Sequence, residues 1–150
     1  MTSTILKIPT EYHAMLERLS EIEGSTMSDV IANFLRQAIA AGRLPDQLPG
    51  WRVEHLPDGS VRFCVEEIDL DVKLSAETAE ALARDLEEYA RPGSGRAALL
   101  NLDTNFVIER RGTGMTIRHV DLPGDVKKSF SRSVAIDVAR LLRRQPISSA

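Results

Sequence analysis

The sequence predicts an α+β protein in two parts. A short apolar strand and two amphipathic helices fill the first 44 residues. After a Pro/Gly-rich break, a strand–strand–strand–helix pattern then occurs twice, with matching positions 55 or 56 residues apart.

Thr4-Ile5-Leu6-Lys7-Ile8 is too short for a helix, and Pro9 ends it, because proline lacks a ladder donor and holds Ile8 extended. Alternation sets Thr4, Leu6 and Ile8 on one face and Ser3, Ile5 and Lys7 on the other. Thr10 is the expected cap of the first helix, with Glu11 in the first turn. Tyr12, Met15, Leu16, Leu19 and Ile22 form its apolar stripe, and Gly24 is its stop. Ser25 or Thr26 caps the second helix, whose buried face is Val30, Ile31, Phe34, Leu35, Ala38 and Ile39; Gly42 and Pro45 end it. No piece of this stretch can bury its apolar face alone, so a second copy of the chain is the expected partner.

Ala41–Gly50 contains two prolines and two glycines and cannot continue a helix; residues 45–50 are the linker. The second part covers 51–145. Its first half, 51–91, has a strand over Trp51–His55, a turn at Pro57-Asp58-Gly59-Ser60, a strand carrying Val61, Phe63 and Val65, and a third with Ile68, Leu70, Val72 and Leu74 on one face. Ser75 caps a helix striped with Ala79, Leu82, Ala83 and Leu86. The second half, 105–145, repeats this. Phe106–Glu109 is a strand, Gly112-Thr113-Gly114 a turn, and Met115, Ile117 and His119 share a strand face. Asp125–Phe130 is a weaker third strand, and Ser131 caps a helix striped with Ala135, Val138, Ala139 and Leu142. Leu74-Ser75 matches Phe130-Ser131. Arg91-Pro92-Gly93-Ser94-Gly95-Arg96 joins the halves, and 146–150 is a tail. Two units with one open apolar face each close on one another.

The strand ending in Ile8-Pro9, the helix from Thr10, and Gly24-Ser25-Thr26-Met27-Ser28 ahead of Ile31 resemble the ribbon–helix–helix family of DNA-binding dimers, the Arc and methionine-repressor type. The resemblance covers the first 44 residues. It implies that two strands pair antiparallel between chains and enter the major groove of double-stranded DNA. By that match Ser3, Ile5 and Lys7 face the bases, and the helix start at Thr26, Met27 and Ser28 holds a phosphate. The chain departs from the family at Ile5. An isoleucine can contact a thymine methyl but cannot read a hydrogen-bond pattern.

Charge is unevenly spread. Residues 1–50 hold four basic against six acidic residues, 51–104 six against twelve, and 105–150 nine against four, within a net charge of −3. The basic part is therefore the last third, and Lys127, Lys128 and Arg132 are the expected auxiliary contacts to DNA. Arg110, Arg111 and Arg118 form a second basic cluster. Glu66, Glu67, Asp69 and Asp71 form an acidic run, read as the solvated face of a strand and turn. His13 falls on the exposed side of the first helix and His55 ends a strand. His119 lies 55 residues after the single cysteine, Cys64, a spacing that would pair them for zinc or nickel. The local histidine cluster of a nickel-sensing repressor is absent, so both are read as ordinary strand positions. No metal, cofactor or enzymatic activity is expected, since no nucleophile–base–orienter set stands out. One cysteine, the absence of a long apolar run and a first segment without a signal pattern lead to the expectation of a cytoplasmic protein away from membranes.

Two functions follow as expectations. The first is a homodimeric or higher-order DNA-binding transcription regulator, a repressor or autorepressor of antitoxin, phage or plasmid type, with 51–145 as a partner-binding or oligomerising module. The alternative is a protein that binds a toxin or defence factor through 51–145 and uses the first part only to dimerise.

Overall fold

The computed structural model describes residues 5–91, 99–100, 106–111, 114–119 and 126–144. The expected positions Ser3, Thr4, the joint from Pro92 to Arg96 and the tail lie outside them. The chain divides into two compact units, Ser3–Asp46 and the part from Gln47 onward.

In the first unit, helix α1 (Thr10–Glu23) is followed by helix α2 (Met27–Ala40). The cap of α1 differs from expectation. Pro9 occupies the cap position, Thr10 is already helical, and no side chain caps the helix. Proline's fixed φ suits the entry, and its own carbonyl accepts from the N–H of His13 at 3.0 Å. Gly24 turns left-handed at φ 64°, where an L side chain would be strained, so that Ser25 N–H reaches the Ser20 carbonyl at 2.9 Å. Thr26 then caps α2 reciprocally with Asp29. Thr26 Oγ1 accepts from Asp29 N–H at 3.1 Å, and Asp29 Oδ2 accepts from Thr26 N–H at 3.2 Å. Residues 5–9 belong to no helix or strand. A ladder needs a second strand, and the described part of this unit contains none to pair with them.

The described residues of the second unit form two antiparallel sheets and two helices. Strands β1 (Trp51–His55), β2 (Val61–Val65) and β3 (Leu70–Leu74) form the first sheet in that order, and helix α3 (Ala76–Ala90) follows. Strands β4 (Leu99–Leu100), β5 (Phe106–Arg111), β6 (Gly114–His119) and β7 (Lys127–Phe130) form the second, followed by helix α4 (Arg132–Arg143). Ser75 Oγ and Ser131 Oγ cap the helices by accepting from Thr78 N–H at 3.1 Å and Val134 N–H at 3.2 Å. Ile68 is not in the third strand. It closes a 3₁₀ turn, Glu66–Ile68, and Asp69 at φ 55° redirects the chain so that Leu70 begins β3. A short-chain aspartate tolerates that left-handed position. The added strand β4 has no counterpart in the sequence reading.

One core serves both halves. Phe63 and Phe106 are fully buried with ring centroids 5.5 Å apart, and Trp51 stands edge-on to Phe130 at 5.2 Å. Leu82 and Leu86 of α3 and Val138 and Leu142 of α4 belong to the same cluster. Arg143 of α4 ties the helices together through Glu80, at 3.1 Å, and Glu87 of α3. His55 Nε2–H donates to the Leu141 carbonyl at 2.8 Å, fixing β1 to the end of α4.

The pairing registers correct one sequence correspondence. Val61 faces Leu74 in the first sheet, and Met115 faces Phe130 in the second. If Leu74 is matched to Phe130 as the sequence suggests, these pairings match Val61 to Met115, and Val65 rather than Cys64 to His119. Cys64 lies beside Asp71 on the opposite face, where its counterpart is Arg118. The spacing of 55 falls one residue out of register, and one residue reverses the face.

Candidate functional site

The residues that the family resemblance singles out lie in the first unit. Ile5 is 89% exposed and Leu6 75% exposed, Lys7 is exposed, and Ile8 is half-buried. Ser3 is outside the described residues. At the start of α2, Thr26 and Ser28 are exposed and Met27 is half-buried. The capping box uses the N–H groups of Thr26 and Asp29. Those of Met27 and Ser28 have no acceptor among the described residues, as the first turn of any helix leaves them.

The surface beside these groups is apolar. Tyr12, Met15, Leu19 and Ile22 on α1 and Ile31, Phe34 and Leu35 on α2 are all exposed. Leu16, Leu19, Val30, Ile31 and Phe34 line a groove of about 300 Å³ between the two helices. Only Ser20, Val30 and Ala38 are buried in the two helices. Ser25 Oγ is enclosed without a hydrogen-bond partner among the described residues.

In the second unit the expected basic contacts separate. Lys127 is exposed, but Lys128 is buried, with its ammonium 5.5 Å from the centre of the Trp51 ring. Of the expected auxiliary contacts, Lys128 is thus packed against Trp51 and little of it is open at the surface. Its parity is that of Phe130, and the cation is held against the electron-rich ring face. A side chain at Gly50 would come within 3.4 Å of Lys128 Nζ, so the missing Cβ leaves room for this packing. Arg132 is half-buried, and Arg118 is paired with Glu109 at 3.0 Å.

The acidic run disperses. Glu66 and Glu67 lie in the 3₁₀ turn, Asp69 ends it, and Asp71 on β3 is ion-paired with Arg62 at 2.6 Å. Hydrogen bonds from Arg62 and then from Cys64 hold the Asp71 carboxyl down to about 2. Burial, together with the Asp71 hydrogen bond at 3.3 Å, pushes the Cys64 thiol up, which makes it a poor nucleophile and a poor metal ligand. Among the described residues no three His, Cys, Asp or Glu side chains are grouped to hold a metal ion. No helix among them is long and apolar enough to cross a membrane. A cleft of about 350 Å³ lies between the β1–β2 turn, α3 and α4, lined by His55, Val61, Ala79, Glu80, Leu142 and Arg143. Its two charged groups are bonded to each other.

No family model matches the chain, and neither a curated protein nor a solved structure matches it.

Proposed function

We propose that the protein is a dimeric DNA-binding regulator of the ribbon–helix–helix type, in which residues 1–44 form the dimer and the DNA face. The observation that carries this reading is the uncovered apolar surface of the first unit. Phe34 is 59%, Met15 66% and Ile22 71% exposed on two regular 14-residue helices. A soluble chain does not leave such a contiguous surface open, and a second copy of the same two helices is its natural cover. In that dimer the segment around Ile5–Ile8 gains the ladder partner that it lacks alone. Leu6 and Ile8 turn inward, and Ser3, Ile5 and Lys7 face the major groove. The free N–H groups of Met27 and Ser28 then flank the ribbon as phosphate contacts. The second unit, with a closed core of its own, serves as the partner-binding or oligomerising module of a repressor or autorepressor.

Two observations favour the second reading, in which the first unit is only a dimer handle for a protein-binding module. Ile5 places an apolar side chain in the middle of the base-facing set, and Lys128 is withdrawn from the surface. Retention on duplex DNA from the protein's own upstream region separates the two. The DNA-binding reading expects affinity that falls steeply with salt. Lys7→Ala should weaken binding by about 1–3 kcal/mol if it reads a guanine, or lower the salt slope if it touches phosphate. Unchanged affinity in an intact Lys7→Ala dimer favours the dimer handle.

A further inference from the structure

The two halves of the second unit differ at one sheet edge. Val61 faces both His55 and Leu74, and Met115 faces both Arg110 and Phe130. His55 therefore corresponds to Arg110, Glu54 to Glu109 and Val53 to Ile108. In the second half β5 is covered on its outer side by β4, which pairs through Leu99 with Glu109 and through Leu100 with Ile108. In the first half the matching side of β1, at Val53 and Glu54, carries no strand among the described residues. An unpaired strand edge is a template for another strand.

The charges on β1 select its occupant. Arg52 and Glu54 are exposed on the outer face of the sheet, opposite Cys64 and Arg62 of β2. Arg62 is itself bonded to Asp71, and neither Arg52 nor Glu54 makes an ion pair among the described residues. An antiparallel pair centred on Val53 sets Arg52 opposite the partner's Glu54, and Glu54 opposite the partner's Arg52. The strand is thus complementary to itself, as a twofold interface requires. The other edge of the first sheet lacks this freedom. On β3, Asp71 is bonded to Arg62 and Lys73 to Asp58 at 3.1 Å. On β7, Lys127 has no acidic residue on its own strand to face.

We propose that β1 pairs antiparallel with β1 of a second copy about a twofold axis at Val53, joining the two first sheets into one continuous sheet. This interface is separate from the helical one proposed for the first unit, and it gives the second unit an assembly role of its own.

Cross-linking of the full chain tests it. Residues opposite one another in an antiparallel pair have Cα atoms about 4.5–5.5 Å apart, within disulfide range. Cys64 is first replaced by serine, because it faces Arg52 within the chain. In that background the double variant Arg52→Cys, Glu54→Cys is oxidised with diamide and run on a non-reducing denaturing gel. The expected result is conversion of the monomer band to a band of doubled mass. Arg52→Cys alone, Glu54→Cys alone and Lys73→Cys on the β3 edge should remain monomeric, since each lacks a cysteine directly opposite. If the double variant cross-links no more than Lys73→Cys, or if the single variants cross-link as well as the double, the β1 pairing is wrong.

Discussion

The two units use similar helices and dispose of them differently. In α3 and α4 the apolar stripe ends in a core: Leu82 and Ala139 have no exposed surface, and Leu86 and Val138 keep 1% each. In α2 the stripe Val30, Ile31, Phe34, Leu35 and Ala38 is as regular, yet Phe34 stays 59% and Leu35 45% exposed. Of the large apolar side chains exposed among the described residues, all but Ile136 belong to the first unit. The difference comes from what the chain supplies as cover. The second unit brings two sheets to its two helices, so each apolar face meets another. The first unit has two helices and one short segment, which is less than a core. Amphipathicity thus marks a surface that must be covered, and does not say by which chain.

The largest effect should come from placing a charge on the uncovered stripe. Phe34→Asp should abolish dimerisation and unfold the first unit, read as a loss of helical circular dichroism together with a fall in sedimenting mass. Were the lone chain the working form, the same change at an exposed position would shift stability by no more than about 0.5 kcal/mol. The matching experiment in the second unit is Phe63→Ala, which removes a fully buried ring between Trp51 and Phe106. It should cost about 3–5 kcal/mol in chemical denaturation and leave sedimenting mass unchanged. Equal sensitivity of both units to both substitutions would mean that they share one core.

A sharper form of the comparison is to express residues 46–150 alone. This segment should unfold in one cooperative transition, since its buried cluster draws on both sheets and both helices of the second unit. A gradual melt without a transition would show that the first unit completes its core.

The smallest effect concerns the outer face of the first sheet. Asp71 is held down to about 2 by Arg62 and Cys64, below its ordinary value of 3.8. A carboxyl lowered on folding stabilises the fold fully above its ordinary value, and this contribution is lost as pH falls through the folded value. Thermal stability should therefore decline from about pH 4 toward pH 2, with a shallower decline in Asp71→Asn. Because the pair is exposed and screened, the difference should be small and should shrink further in high salt. An identical pH profile in the variant would remove Asp71 from the account.

Much of the architecture was legible because its signals are local. Gly24, Thr26, Ser75 and Ser131 act at their own positions through backbone geometry and a single side-chain bond. What escaped depends on pairing across the chain. A match of Cys64 to His119 is inconsistent with a match of Leu74 to Phe130 once the strand registers of β2 and β6 are known, and those registers are not written in the spacing. The burial of Lys128 follows from its alternation with Phe130 on β7, a signal that its charge masks in the sequence. The strand β4 has only two residues, too few to show alternation. Pro9 displaced Thr10 at the cap because the proline ring supplies the entry geometry without a side-chain bond.

Whether a second copy covers the helices of the first unit is read directly by an isotope-filtered nuclear Overhauser experiment. Labelled and unlabelled full-length chains are mixed, and only contacts between different copies are detected. Intermolecular contacts are expected from the Phe34 ring and the Leu35 methyls to apolar side chains of α1 and α2 in the other copy. Intermolecular contacts confined to the second unit, or none, with Phe34 keeping the signature of a solvated ring, would contradict this expectation.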